Sequence, residues 1–284
     1  METAFAELPL ALFTTLAPIG ANAFIVLFIA AFAGKLNEDQ LKKLDKFSAV
    51  PAVVVLVGFI ASIFHMANPA GAIGVLSHIG TSPLSNEICA GIVFVIAMAV
   101  YVIMALAGKL GEGARKGLLA AVSVLAIVFT IFCGMAYMMA TIISWNTPFT
   151  IIQVLGFGLV GGSALGSLTL ALAGVLEDAL KAARIAVIAV AVIGAVLAAC
   201  GLIGMIVTVG GMTNGTTTGA ALTSGVTMYA ACSVICVLAS AIVVALQKGT
   251  AALPAIATVL AVIGVFVGRL VFYALQMSVG ISMM

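Results

Sequence analysis

Charge is what this sequence has least of. Only 7% of its 284 residues are Asp, Glu, Lys or Arg, against 64% hydrophobic, and the mean hydropathy is +1.37. A soluble domain carries about a quarter charged residues, so a soluble enzyme is excluded. The net charge of +2 carries no nucleic-acid signal. Long polar stretches are also missing, which leaves no room for a soluble module and predicts one integral membrane domain over 1–284. Histidine is nearly absent: His65 and His78 are the pair. A b-type haem needs axial ligands that meet in a common bundle core, and two histidines so close in sequence, one of them in a predicted loop, do not supply them. The five cysteines (Cys89, Cys133, Cys200, Cys232 and Cys236) fall inside apolar runs without any CxxC, which excludes the familiar iron–sulfur spacings and leaves no metal site to expect in this chain. The acidic start, Met-Glu-Thr-Ala-Phe-Ala-Glu, lacks the basic region of a cleaved signal and is expected to be the true N-terminus.

What remains is apolar length. A spanning helix needs about 20 apolar residues, and eight runs qualify: 8–34, 47–66, 88–108, 117–143, 149–175, 185–209, 219–246 and 252–276. The fold class is therefore all-α: a polytopic bundle of eight transmembrane helices. Orientation follows from the basic residues. Lys35, Lys42, Lys43 and Lys46 lie in the first gap, Lys109, Arg115 and Lys116 in the third, Lys181 and Arg184 in the fifth, and Lys248 in the seventh. Loop Lys/Arg stays cytoplasmic, so these gaps face inward and both termini face the outer (periplasmic or extracellular) side of the cell membrane. Of the outer gaps, the longest runs from about 67 to 86, and its short apolar piece, 70–79, suits a surface-lying or re-entrant helix. The fourth, 144–148, reads as a tight loop with Trp145 as an interfacial aromatic. Gly158, Gly161, Gly162 and Gly166 predict close helix contact.

Setting aside the acids of the N-terminal tail (Glu2, Glu7) and those assigned to inner gaps (Glu38, Asp39, Asp45, Glu112, Glu177, Asp178), one carboxylate remains: Glu87. With His65 and His78 it flanks or occupies the second gap. Arg269 is the eleventh basic residue and lies inside the last run, on one helical face with Phe272, Tyr273 and Gln276. Each has a plain explanation. Glu87 and His65 complement helix dipoles, and Arg269 snorkels to headgroups. Together, though, they place an acid and a base near the outer leaflet, where titratable groups are costly and tend to be functional. Such a group suits oxidation of a lipid-soluble hydroquinone, whose hydroxyls must lose protons to a nearby carboxylate or imidazole. Without haem, cluster or CxxC, the electrons must pass to a partner. Two other readings stand beside this one: a small-anion transporter or exporter with Arg269 as its binding residue, and a purely structural anchor.

The segment Gly58-Phe59-Ile60-Ala61-Ser62-Ile63-Phe64-His65, then Pro69 and Leu84-Ser85-Asn86-Glu87-Ile88, resembles the membrane anchor subunit of dimethyl sulfoxide reductase (the DmsC type). So do Gly268-Arg269, Phe272-Tyr273, Met277 and Gly280. The resemblance implies a heterotrimeric respiratory molybdoenzyme. In it this subunit anchors, on the outer face, an iron–sulfur subunit bearing 4Fe–4S clusters and a molybdopterin catalytic subunit, and carries no haem itself. It also implies that the subunit binds menaquinol and passes its electrons to the iron–sulfur subunit. His65 and Glu87 match the family's quinol-site pair, and Arg269 and Tyr273 match its last-helix motif. All four are expected to line one quinol pocket, with Glu87 and His65 taking part in the chemistry. The sequence departs from relatives at Gly71, His78 and Gln276, and in the loop before Trp145. These positions belong to the face expected to meet the partners and bear on which terminal reductase is served.

Overall fold

The computed structural model describes residues 2–64 and 72–279. His65, Pro69, Gly71 and Gly280 lie outside them. Eight helices are long and apolar enough to cross a membrane: α1 (Leu8–Ala33), α2 (Glu38–Ile63), α3 (Pro83–Leu106), α4 (Glu112–Met135), α5 (Pro148–Leu172), α6 (Leu176–Gly210), α7 (Thr227–Leu246) and α8 (Ala252–Ala274). The protein is a multi-pass membrane protein. The even number of crossings returns the chain to the end of the bundle where it began, and the short helix Glu2–Ala6 packs on α8 there.

Several boundaries differ from the apolar runs because local hydrogen bonding, not hydropathy, ends a helix. α2 starts at Glu38 because Asn37 and Gln40 form a reciprocal capping box, each side chain accepting the other's backbone N–H at 2.9 Å. α3 starts at Pro83, behind an N-cap Ser82 whose Oγ accepts the Ser85 N–H at 3.4 Å. Proline fits there because the first helical N–H has no intrahelical partner. α6 extends over 35 residues. Its first turn carries Glu177 and Asp178, which oppose the positive end of the helix dipole. In the other direction, α4 stops at Met135. The apolar residues 136–143 fold as turns, so the fourth connection is 136–147 rather than the tight loop the sequence suggests.

α1 to α4 form one ring of helices and α5 to α8 a second, and α1 and α5 join them. The most apolar stretch is 72% buried in α1 and in α5, against 28–50% in the other six. The cause is glycine on α5: a Cβ on Gly158 would meet Asn22 Nδ2 at 2.7 Å, and one on Gly166 would meet Val26 Cβ at 2.6 Å. This is the close contact predicted from the spacing. Asn22 donates to Pro18 O on its own helix and to Thr130 Oγ1, which ties α1 to α4, both at 2.8 Å. Side chains such as Val53, Leu56, Ile60, Ile92, Ile96 and Ile103 are exposed on the outside. That amount of apolar surface is what lipid solvates.

At the end carrying ten of the eleven Lys and Arg, three groups assigned to loops from sequence form a network instead. Arg115 and Asp45 are buried. Arg115 Nε donates to Asp45 Oδ2 at 2.8 Å and its NH2 to Glu38 Oε1 at 3.1 Å, while Tyr101 OH donates to Asp45 Oδ1 at 3.0 Å. The early start of α2 makes this possible, because it lays Glu38 and Asp45 along the first turn of α4. Removing one partner strands a buried charge, which costs about 3–5 kcal/mol. Asp45→Ala is therefore expected to melt well below the wild type in detergent; an unchanged melting temperature would show that the network contributes nothing.

The opposite end is closed by connections that carry no Lys, Arg, Asp or Glu: 136–147, 211–226 and 275–279. They are sewn together. Val279 N donates to Thr141 O at 3.0 Å and Met277 N to Ser144 Oγ at 2.8 Å. Asn214, at the tip of the hairpin pairing Thr213–Asn214 with Thr217–Thr218, donates to Ser278 O at 2.9 Å. In the second connection, Ala72–Val75 and Leu76–His78 are single turns of helix. Residues 74–80 are all exposed or half-buried, so this piece lies on the surface.

Candidate functional site

At 1.5 Å per residue, helix position converts directly to depth. Glu87 is four residues past Pro83 in α3, Gln153 five past Pro148 in α5, Thr14 six past Leu8 in α1, and Arg269 five before Ala274 in α8. All four lie roughly 6–9 Å below the end closed by the charge-free connections. Cys133 and Tyr137 end α4 and begin the connection above it. Six segments of the protein thus place their polar side chains in one layer.

Arg269 is its centre. It is fully buried, not snorkelling. Its Nε donates to Thr14 Oγ1 at 2.8 Å, NH1 to Gln153 Oε1 at 3.5 Å and NH2 to Tyr273 OH at 3.2 Å. Thr14 can accept because its own O–H is committed to Leu10 O at 2.8 Å. The guanidinium also lies 4.1 Å from the Phe272 ring centroid and 5.1 Å from those of Tyr137 and Tyr273, contacts that stabilise a desolvated cation. Tyr273 OH continues to Tyr137 OH at 2.6 Å, and burial pushes the Tyr137 hydroxyl well above the ordinary tyrosine range, so it stays protonated. Trp145 is not an interfacial anchor: it is buried, stacks on Phe272 at 4.9 Å and donates Nε1–H to Phe272 O at 3.0 Å. The long fourth connection thereby clamps the end of α8.

Glu87 is also buried, in the second turn of α3 rather than in the capping turn, so helix capping does not account for it. The Cys133 thiol lies against it and the Arg269 charge reaches it. No ion pair joins Glu87 to Arg269 among the described residues, and Glu87 Oε1 has no hydrogen-bond partner there. Next to this layer sits an aromatic cluster. Phe59 and Phe94 stack on Phe129 at 5.4 and 5.6 Å, with Phe13 edge-on to Phe59 at 5.4 Å. Gly91, one turn along α3 from Glu87, keeps the space against Phe59: a Cβ there would approach Phe59 Cζ to 3.1 Å.

Of the residues singled out from sequence, the structure brings together Glu87, Arg269 and Tyr273. His65 lies outside the described residues. His78 is exposed, with Nδ1 3.0 Å from its neighbour Ser77 Oγ, and Gln276 is past the helix and exposed; neither joins the layer. Thr14, Cys133, Tyr137 and Gln153 were not anticipated. Gln153 carried a signal: it is an amide side chain well inside an apolar run, as hard to bury unpaired as any there. No group of three or more His, Cys, Asp or Glu side chains able to hold a metal occurs among the described residues.

The layer thus holds a buried cation, a buried carboxylate and phenol hydroxyls, lying beside aromatic rings. Chemically it can hold a flat, polar-edged aromatic molecule and take a proton from it.

A family model described as "DMSO reductase anchor subunit (DmsC)" matches residues 1–275. The sequence is 32% identical over 179 residues to the C subunit of anaerobic dimethyl sulfoxide reductase from Escherichia coli (strain K12), covering 62% of this protein and 61% of that one. Over 150 residues it is 31% identical to the C subunit of the Haemophilus influenzae enzyme, covering 53% of each. Over 189 residues it is 30% identical to the YnfH subunit of an anaerobic dimethyl sulfoxide reductase of E. coli (strain K12), covering 66% of each. The matched segments therefore span between half and two thirds of these relatives.

Proposed function

Because this chain belongs to the DMSO reductase anchor subunit (DmsC) family, we propose that it is the membrane anchor and menaquinol-oxidising subunit of a dimethyl sulfoxide reductase-type molybdoenzyme, passing electrons to an iron–sulfur subunit that serves a molybdopterin catalytic subunit. One observation carries the reading: a buried carboxylate and a buried guanidinium in one layer, without an ion pair between them among the described residues, beside a cluster of phenylalanine rings. A structural ion pair would have closed that gap; a site for a two-ended polar ring would keep it.

In this mechanism the hydroquinone ring lies against Phe59, Phe94 and Phe129, with its tail along the lipid-facing side. Glu87 accepts a proton from one hydroxyl. His65, adjoining α2, bonds or orients the head group. Arg269, with Tyr273, offsets the negative charge that develops on the ring as the proton leaves. Oxidation releases two electrons and two protons. The electrons leave to the iron–sulfur partner, which accounts for a subunit in which no redox centre is expected. The charge-free connections fit this role, because the core of a protein interface is depleted in charge. The ten cationic residues at the other end favour a cytoplasmic side for that end, which supports reading the quinol layer and both termini as outside in the inner membrane.

The orientation has an electrical consequence. If protons are released outside and the catalytic subunit consumes protons outside, turnover moves no net charge across the membrane. Proteoliposomes carrying the complex should therefore show no membrane potential coupled to quinol-linked reduction. A potential that rises with turnover and collapses with a protonophore would place the quinol site on the other side. The anchor role is tested separately by affinity purification: an iron–sulfur protein should accompany this subunit, and its isolation alone from membranes would count against the assignment.

A further inference from the structure

Gln153 has an atom that the packing leaves unused. It is fully buried on α5, its Oε1 receives an Arg269 N–H at 3.5 Å, and its Nε2 has no acceptor among the described residues. The orientation of this amide is dictated by chemistry. A guanidinium can only donate, so the oxygen must face Arg269 and the NH2 must face away. An unmatched buried donor costs about 1–3 kcal/mol, and buried polar atoms are almost always satisfied. The same layer holds the opposite imbalance in Glu87 Oε1, a buried acceptor without a donor among the described residues. The Arg269 guanidinium adds to the donor surplus, since it has five N–H groups and three hydrogen bonds to side chains. The layer therefore holds both a donor without an acceptor and an acceptor without a donor among the described residues.

A hydroquinone meets both needs, with an O–H to give at one end of its ring and an oxygen that accepts at the other. We propose that Gln153 is the second hydrogen-bonding terminus of the quinol site: its Nε2 donates to the ring oxygen remote from Glu87, and Arg269 holds the amide in the orientation that makes this possible. The proposal rests on the quinol reading above and extends it to a residue not singled out in the sequence analysis. Its chemical balance is simple. As Glu87 takes the proton of the near O–H, electron density on the ring rises, and the hydrogen bond from Nε2 strengthens as the far oxygen gains charge. When two electrons have left to the iron–sulfur partner and the far hydroxyl has released its proton to the outer aqueous phase, with the first proton held on Glu87, the far oxygen is a carbonyl, which still accepts from Nε2. Gln153 thus binds both redox forms, whereas Glu87 interacts most strongly with the reduced one.

The test uses the assembled complex with two variants. Gln153→Leu removes the polar group. Gln153→Glu keeps its volume and its acceptor toward Arg269 but replaces the NH2 by an oxygen. Menadione is the binding probe, because its two carbonyls can only accept. Calorimetry should show menadione bound at least tenfold more weakly by both variants. With menadiol as donor, KM should rise by a similar factor while electron transfer from reduced viologen to the catalytic subunit stays at the wild-type rate. A merely structural role would lower melting temperature and viologen-linked rate without this split. If the wild type binds menadione and either assembled variant binds it equally well, Gln153 is not the terminus and a buried water satisfies it. If the wild-type complex binds no menadione and does not oxidise menadiol, the quinol reading itself fails and this assignment goes with it.

Discussion

Glu87→Lys is expected to abolish quinol-linked reduction while leaving the complex assembled and its viologen-linked activity intact. The substitution removes the proton acceptor and places a second cation in the layer that already holds Arg269, which is fully buried. Loss of a positioned acid–base group alone costs about 10²–10⁴-fold in rate, and the added like charge works against binding as well. Glu87→Gln separates the two effects. It keeps the shape of the side chain and removes only the acceptor, so quinol-linked turnover should fall at least a hundredfold with menadione affinity changed far less. The measurement is the ratio of menadiol-linked to viologen-linked rates in one preparation. A ratio unchanged by either substitution would remove Glu87 from the mechanism.

Arg269→Ala is the second large effect, and it should be felt in both stability and binding. The guanidinium is the common donor to Thr14, Gln153 and Tyr273 and the cation over three rings. Truncation leaves Thr14 Oγ1 and Gln153 Oε1 buried without a donor and opens a void among α1, α5 and α8. Losing one partner of a buried charged group costs about 3–5 kcal/mol, enough to lower the melting temperature of the detergent-solubilised subunit clearly. Arg269→Lys should recover only part, because an ammonium is a compact point charge and cannot make the forked contacts of a planar guanidinium. The functional share is read by menadione affinity: it should fall at least tenfold in Arg269→Ala and remain low in Arg269→Lys. Wild-type affinity in an assembled Arg269→Ala complex would make this residue a structural bolt with no role toward the ligand.

The eight crossings were legible because each is a run of apolar residues long enough to span a bilayer. The ends were less so. Hydropathy does not register the Asn37 capping box, the Pro83 start of α3 or the turns that replace helix after Met135. The errors had consequences for chemistry. Glu87 looked like a capping-turn residue and is a turn deeper. Asp45 and Arg115 looked like solvated loop charges and are buried partners, because α2 starts nine residues before its apolar run. Glu87, Arg269 and Tyr273 could be found from sequence because a charged or polar group in an apolar run is conspicuous, and they do share a layer. Thr14 and Cys133 could not, since small polar and sulfur side chains are ordinary in packed helices. Tyr137 was missed because residues 136–143 are apolar enough to pass as helix. Trp145 looked like a membrane-surface aromatic, and only the fold shows its indole stacked inward on Phe272. His78 and Gln276, where the sequence reading expects departures from relatives, are exposed and do not join the layer.

The most direct measurement is photoaffinity labelling of the complex in native membranes with an azido-substituted menaquinol analogue, read by mass spectrometry. Label is expected on the Glu87 end of α3, the last turns of α8 or the first turns of α5, and it should be lost when excess menadiol competes. Competable label confined to the opposite end, around Asp45, Arg115 and Lys181, would contradict the account.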